Sequence, residues 1–386
     1  VSNREAAIAL ATRTAQRDIE PVKSSKFPRL TGKTGETGVA KPLQRATMRD
    51  VAALAGVSIK TVSRVINGEK YISDAIAKKV NEAVHRLNYR HNLAASQLRA
   101  GANSFAVGVI LVDISNPFSA AVHRAVEDVF REAGVAVLLA STDEEAEREW
   151  AAVHAFSRRR VDGLVIMPAS HDQAYLKSEI EAGTHIVFID RPPAFLNVDF
   201  VVSDNRRGAR SGVDHLIRFG HRRIGFIGDR PMVSSSQLRF EGYEDALAAA
   251  NIDMDASIVC KGFADASAAQ RATEDLLSRD STMTALFVAQ NALCAPAIRA
   301  LRSLGKGPNV AVVGFDGFDG ADLIEPGLTV IAQNPALMGR TAACILLKRM
   351  KGGSPEPHAR MLDTHLIARG SGEIRGPFLR DSLLVT

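Results

Sequence analysis

Cysteine is almost missing from this chain. Cys260, Cys294 and Cys344 are the only three in 386 residues. They lie far apart, without metal-ligand spacing and without the even count of a disulfide framework. Long hydrophobic runs are missing too: none approaches 18 apolar residues, which excludes a transmembrane helix. The N-terminus has no uninterrupted apolar stretch ahead of a small-residue cleavage site, so a secretory signal is not expected and a cytoplasmic location is. No G-x-S-x-G, no H-E-x-x-H and no strand-borne G-x-G-x-x-G occurs. His85, His91, His123, His154, His171, His185, His215 and His221 show no paired ligand spacing and read as surface or core residues. The acidic pairs Glu144-Glu145 and Asp253/Asp255 read as solvated faces. No catalytic residue, metal or cofactor is expected, and the chain is not expected to be an enzyme.

What is present is the balance of a globular protein: 46% hydrophobic and 24% charged residues. At roughly 150 residues per domain, the length implies two or three domains. Charge is unevenly spread. Residues 1–101 carry 18 Lys and Arg against 8 Asp and Glu, a net +10, while the remainder is net −5. A basic front on a mildly acidic body suggests a polyanion-binding segment joined to something that is not one.

Along the chain, residues 1–46 have nine Lys and Arg against four acids and no sustained periodicity, which predicts a basic, disordered extension. They are read either as a source of non-specific phosphate affinity or as an upstream extension of the gene's start. Gly32-Lys33-Thr34 mimics the end of a phosphate loop. The required glycine five residues earlier is Phe27, and neither a buried strand nor an apolar helix flanks it. From Thr47 short helices begin. Thr47-Met48-Arg49-Asp50 has the form of a capping arrangement ahead of Val51, Leu54 and Ala55. Ala55-Gly56-Val57 breaks the helix, and Ser58 can cap a second one with Val62, Val65 and Ile66 inward. Asn67-Gly68 ends that one, and Ser73 opens a third. Three short helices with a glycine turn make a helix-turn-helix module. From about Phe105, apolar runs alternate with amphipathic helices: Phe105–Val112, Val135–Leu139, Gly163–Met167 and His185–Ile189, then Arg223–Ile227, Ala285–Ala289 and Val310–Phe315. That alternation is the mark of an α/β doubly wound fold with parallel strands buried on both faces, and its length calls for two lobes.

The second helix of the module turns Ile59, Lys60, Thr61, Ser63 and Arg64 outward. Such a face can enter a DNA major groove: Arg64 or Lys60 suits guanine, and Ile59 a thymine methyl. The segment from Thr47 to Asn67 strongly resembles the N-terminal signature of the lactose-repressor (LacI/GalR) family of bacterial transcription regulators, and later features extend the resemblance over about 47–370. It implies that Ile59 and Lys60 occupy variable specificity positions and that Ser63, Arg64 and Asn67 are common contacts. Thr47, Ser58, Thr61 and Asn67 are expected at phosphates, although capping alone is an alternative for Ser58 and Thr61.

Residues 91–103 would by the same resemblance hold the hinge helix, with Leu98 as the minor-groove wedge. Ala94 and Ala95 would permit close approach, and Arg99 would reach phosphate or a groove edge. Asn88 and His91 depart from the Gly and Pro common in the family. The alternative is an ordinary linker with Leu98 packed on the core.

The resemblance further implies a periplasmic-binding-protein-like core with a small molecule between two lobes. The domains expected are 1–46 (extension), 47–90 (helix-turn-helix), 91–103 (hinge and linker), 104–370 (core) and 371–386 (C-terminal tail). Within the core, the N-lobe would comprise about 104–203 and 334–361, and the C-lobe 204–333 and 362–370. The candidate effector contacts expected to face the cleft are Asn116, Phe118, Ser170, Asp190 and Arg191, then Arg239, Phe263, Gln290 and Asp316. Carboxylates, a guanidinium and an aromatic ring suit a polyol. Gln290-Asn291 departs from the Asn-Asp common in the family.

The expectation is a cytoplasmic, homodimeric DNA-binding regulator, a repressor first of all. It would bind a pseudo-palindromic double-stranded operator under control of a carbohydrate effector, with no membrane partner. Alternatives are control by a protein partner or a nucleoside-type corepressor, and a sugar-binding receptor of the same fold. With no heptad pattern near the C-terminus, dimers rather than tail-assembled tetramers are expected.

Overall fold

The structure is a computed structural model that describes residues 46–66, 69, 72–89, 106–170, 172–263, 266–307, 309–353 and 356–379. The chain divides into two compact units, 1–93 and 94–386.

In the first unit, α1 (Met48–Ala55), α2 (Ile59–Ile66) and α3 (Asp74–Arg86) surround a small core of Val51, Ala52, Val62, Val80 and Ala83. Thr47 and Asp50 form a reciprocal capping box at the start of α1. Thr47 N donates to the Asp50 carboxylate at 2.7 Å, which satisfies a backbone donor that the first helical turn would leave orphaned. Gly56 ends α1 with φ +67°, a left-handed conformation that side chains with a Cβ resist.

The second unit holds two six-stranded sheets. The first contains β1 (Ala106–Leu111), β2 (Ala136–Ser141), β3 (Gly163–Ile166), β4 (His185–Ile189), β5 (Asp199–Ser203) and β11 (Ala359–Leu362). The second contains β6 (Ile224–Ile227), β7 (Val259–Cys260), β8 (Ala285–Val288), β9 (Ala311–Phe315), β10 (Thr329–Ala332) and β12 (His365–Ile367). The strand orders are β2-β1-β3-β4-β5-β11 and β7-β6-β8-β9-β10-β12; all neighbours pair in parallel except β12 against β10. Central strands such as Gly163–Ile166 and Ile224–Ile227 are buried at every position, as continuous apolar runs require when both faces are covered.

Helices α4 (Pro117–Glu132) and α11 (Pro335–Met350) cover one face of the first sheet, and α5 (Ala146–Ser157) and the short α6 (Lys177–Glu181) lie on the other side. On the second sheet, α7 (Asn205–Arg218) and α8 (Ser234–Ala249) cover one face, and α9 (Ala266–Arg279) and α10 (Asn291–Ser303) the other. Gly242 lets α8 approach α7: a Cβ there would overlap the Arg206 carbonyl oxygen. That close crossing carries Arg239 beside Asn205 on α7.

The chain passes between the sheets three times. It leaves β5 for α7 at Ser203-Asp204, leaves β10 for α11 at Gln333-Asn334, and leaves β11 for β12 at Asp363-Thr364. In each sheet the strand order reverses beside the first strand, between β1 and β3 and between β6 and β8. The carboxyl ends of strands at such switch points open a crevice.

Residues 371–379, in the stretch expected as a C-terminal tail, pack on the second lobe. The Ser371 hydroxyl donates to Val312 O (2.6 Å) and accepts from Thr329 N (2.9 Å), and Gly376 N donates to Phe219 O. The apolar-run reading passed over this stretch because it is held by polar bonds to residues far away in sequence.

Candidate functional site

The outward face of α2 is built by its two neighbours in sequence. Ser58 Oγ accepts from Thr61 N (3.1 Å) and lies 2.9 Å from Thr61 Oγ1. Val62 is fully buried, which forces Ile59, 45% exposed, and Lys60 to the outside. Ser63 and Arg64 are half-buried on the same helix. Arg64 Nε donates to Glu69 Oε2 at 2.9 Å. The guanidinium therefore already has a carboxylate partner, one the sequence reading did not assign to it. The hydroxyls of Thr47, Ser58 and Thr61 all take part in helix caps. Asn67, Ala95, Leu98 and Arg99 lie outside the described residues.

In the second unit, a cleft with about 570 Å³ of empty space, part of it open to solvent, separates the two lobes. Of the nine expected effector contacts, seven line it: Asn116, Phe118, Asp190, Arg191, Arg239, Gln290 and Asp316. Ser170 and Phe263 do not. Ser170 Oγ donates to Asp172 O, and Phe263 packs against the second lobe's core, because the turns after β3 and β7 carry them off the cleft wall.

Arg239 is 7% exposed. Its Nε donates to Asn205 Oδ1 (2.8 Å), its Nη1 to Ala289 O (2.9 Å), and its guanidinium lies 3.8 Å from the centroid of the Phe315 ring. Burial pulls its pKa down, against the pull of Asp190 and Asp316. Asp316 accepts from Gln333 N (2.8 Å) and Gln333 Nε2 (2.5 Å); burial pushes its carboxyl above the ordinary value in spite of Arg239. These two cleft charges thus grip a crossover, Arg239 at Asn205 and Asp316 at Gln333.

Asp190 and Asp316 occupy equivalent places, immediately after β4 and β9, the fourth strands of their respective sheets. Both have left-handed backbones, with φ +65° and +57°. Asp tolerates this conformation better than most residues, and strain of this kind clusters at functional sites. Arg191 donates to Glu144 through both terminal nitrogens and to Pro168 O (2.8 Å), with its Nε 3.4 Å from Asp190. Burial disfavours the charge on Arg191, but the Glu144 bond and the nearby carboxylates outweigh it and raise its pKa.

Three lining carboxylates lie outside the nine expected contacts. Glu144, read as a solvated face, turns inward on a left-handed backbone (φ +63°) and pairs with Arg191. Asp229 follows β6 and accepts from Gln290 Nε2 at 2.8 Å; burial raises its pKa, with Glu144 contributing. Asp113 follows β1. The polar residue after each buried run was the available signal for Asp113 and Asp229. Glu144 had none, since it is brought in by its loop's conformation. Among the described residues no group of three His, Cys, Asp or Glu could hold a metal, and no helix is long and apolar enough to cross a membrane.

A capped helix-turn-helix unit and a two-lobed unit with a charged interlobe cleft define a DNA-binding regulator with a ligand-binding core of periplasmic-binding-protein type. Residues 47–92 match bacterial regulatory proteins of the lacI family, and residues 213–372 match the periplasmic binding protein-like domain. The HTH-type transcriptional regulator CelR of Thermobifida fusca is 34% identical, over 85% of this chain and 99% of CelR. A CelR–cellobiose complex superposes with a TM-score of 0.64 at 32% identity, over 85% of this chain and all of that one. The lac repressor dimer bound to operator and the anti-inducer ONPF has a TM-score of 0.75 at 28% identity, over 85% and 99% of the two chains. The chain belongs to the lacI family of bacterial regulatory proteins, and it is a helix-turn-helix transcriptional regulator.

Proposed function

We propose that this regulator is a homodimeric repressor of genes for carbohydrate uptake or breakdown, that its effector is a sugar held in the interlobe cleft, and that it performs no chemistry on that sugar. The observation that carries the reading is the pairing of cleft charges with crossovers, Arg239 with Asn205 and Asp316 with Gln333. A ligand's hydroxyls can accept from the Arg239 fork and donate to Asp190 and Asp316, with Asn116 and Gln290 as further amide partners. Any such contact competes with or reinforces the bonds that set the angle between the lobes. The CelR–cellobiose complex supports a sugar as the ligand class.

On the DNA side, Ile59, Lys60, Ser63 and Arg64 are the base-reading set of α2, and Thr47, Ser58 and Thr61 its phosphate anchors. Asn67, Ala95, Leu98 and Arg99 complete the interface in this reading. Two such units related by twofold symmetry suit a pseudo-palindromic operator. Effector and operator then bias one equilibrium, and each changes the other's affinity by the same factor.

The test is selection of bound sequences from a random duplex pool at fixed salt, followed by titration of the selected duplex with sugars. Recovery of an inverted repeat whose affinity changes with one sugar is the expected result, and the direction of the change tells inducer from corepressor. An inverted repeat that responds to a nucleobase or to a protein fraction, and to no sugar, would overturn the carbohydrate reading. Failure to enrich any repeat, with or without a metabolite extract, would overturn the operator reading.

A further inference from the structure

The ionisable groups of the cleft do not balance. Five carboxylates line it, Asp113, Glu144, Asp190, Asp229 and Asp316, against two cations, Arg191 and Arg239. Arg191 is already committed to Glu144 and Asp190. Asp229 and Asp316 have only neutral hydrogen-bond donors: Arg230 N and Gln290 for the first, Gln333 for the second. Arg239 spends two of its nitrogens on Asn205 and the Ala289 carbonyl, and its face on Phe315.

Three helix N-termini also open on the cleft, those of α4, α8 and α10, through Phe118, Ser235 and Asn291. Each supplies at most about half a positive charge. Together they soften the excess of three negative charges without reversing it. The like charges are close enough to affect one another: Glu144 helps raise Asp229, and Asp190 helps raise Asp316.

We propose that the cleft selects its effector by charge: it takes an uncharged polyhydroxylated molecule and rejects phosphorylated and carboxylated sugars. This rests on the cleft being the effector site. A neutral hydroxyl can donate to an unpaired carboxylate, whereas a phosphate or carboxylate adds charge to a buried site already in negative excess and has no donor to offer there. Arg239 cannot compensate, since its single charge is already counted in that balance and Asp190, Asp316 and Asp229 all act on it electrostatically.

Purified full-length chain would be titrated by thermal shift and calorimetry with matched sets: glucose, glucose 6-phosphate and glucuronate; ribose and ribose 5-phosphate; cellobiose and cellobionate. At least one neutral sugar should bind, with its anionic partner weaker by roughly tenfold or more. Asp229→Asn should shrink that ratio several-fold, because it removes charge at nearly constant shape. An anionic member that binds as well as or better than its neutral partner overturns the proposal and leaves the sugar reading standing. A ratio unchanged in Asp229→Asn also overturns it, by assigning the discrimination to shape. Binding by no member of any set overturns the sugar reading and this proposal together.

Discussion

Asn116 and Asn291 exchange side-chain amides across the cleft. Asn291 Nδ2 donates to Asn116 Oδ1 at 2.7 Å, and Asn116 Nδ2 donates to Asn291 Oδ1 at 3.3 Å. One residue caps α4 in the first lobe, and the other opens α10 in the second. A reciprocal pair needs a donor and an acceptor on each side, which two amides provide and a carboxylate facing an amide does not.

Asn291→Asp should therefore weaken lobe closure. The substitution removes the shorter bond and sets a carboxylate against the Asn116 carbonyl oxygen, a cost of about 1–3 kcal/mol for a buried group left unmatched. Effector affinity should fall about 5- to 100-fold, and a double-mutant cycle with Asn116→Ala should show coupling between the two sites. Additive effects in the cycle would mean that the pair does not hold the lobes together.

In the proposed interface Glu69 competes with DNA for Arg64. The two side chains are 40% and 49% exposed, so the ion pair is worth about 0.2–1 kcal/mol. Glu69→Gln should raise operator affinity up to roughly fivefold, and Arg64→Ala should lower it with relaxed discrimination at one base position. Fluorescence anisotropy on operator variants at constant salt would separate the two; a loss of affinity in Glu69→Gln would show that Glu69 orients Arg64 rather than competing for it.

Glu149 on α5 is fully buried, and its carboxylate accepts from Ala169 N, Ser170 N and Tyr175 Oη. It holds the turn whose Pro168 carbonyl receives Arg191. Burial pushes its pKa above the ordinary value, although all three donors oppose this. A folded-state pKa above the unfolded one means that the folded chain holds the proton more tightly, so stability falls as pH rises through the interval between the two values. Glu149→Gln should remove that dependence and melt no lower than wild type at neutral pH, because its carbonyl keeps both backbone donors and the Tyr175 hydroxyl can reverse to accept. Glu149→Leu orphans the donors and should cost several degrees of melting temperature, at roughly 2–4 °C per kcal/mol. Melting curves across pH would distinguish these outcomes.

Gly56 tests the turn of the DNA-binding unit by itself. A Cβ at this position meets nothing within 4 Å, so Gly56→Ala introduces no clash. Only the left-handed backbone opposes it, at about 1–2 kcal/mol. Operator affinity should drop in step with the helicity of residues 47–89 expressed alone, and ligand binding by the second unit should not change. An unaltered unit would mean that the turn relaxes out of the left-handed region.

The legible parts of this molecule are those whose signal is local. Thr47 with Asp50, Gly56, and Ser58 with Thr61 announce caps and a turn within four residues of one another, and the structure has them. Buried runs such as Gly163–Ile166 and Ala285–Val288 announce parallel strands through continuous burial. Polar residues after such runs pointed to Asp190, Arg191, Gln290 and Asp316 on the cleft wall. The same rule sent Ser170 there, and Phe263 was expected beside it as an aromatic cover for a sugar; their turns carry both elsewhere. Strands β5 and β10 were not singled out; each runs directly into a polar crossover residue, Asp204 and Gln333.

The sequence by itself determined the helix-turn-helix unit, the doubly wound class and the two-lobed plan, because helical and strand periodicity depend on residues only a few positions apart. Which groups meet in the cleft was decided by the tertiary structure. Asn116 and Asn291 are 175 positions apart, and Glu144 and Arg191 are 47 apart. No local pattern encodes such pairs; they exist because three crossovers fold two sheets toward each other and a left-handed loop turns one carboxylate inward. The balance of charge within the cleft depends on that convergence, so composition could not reveal it.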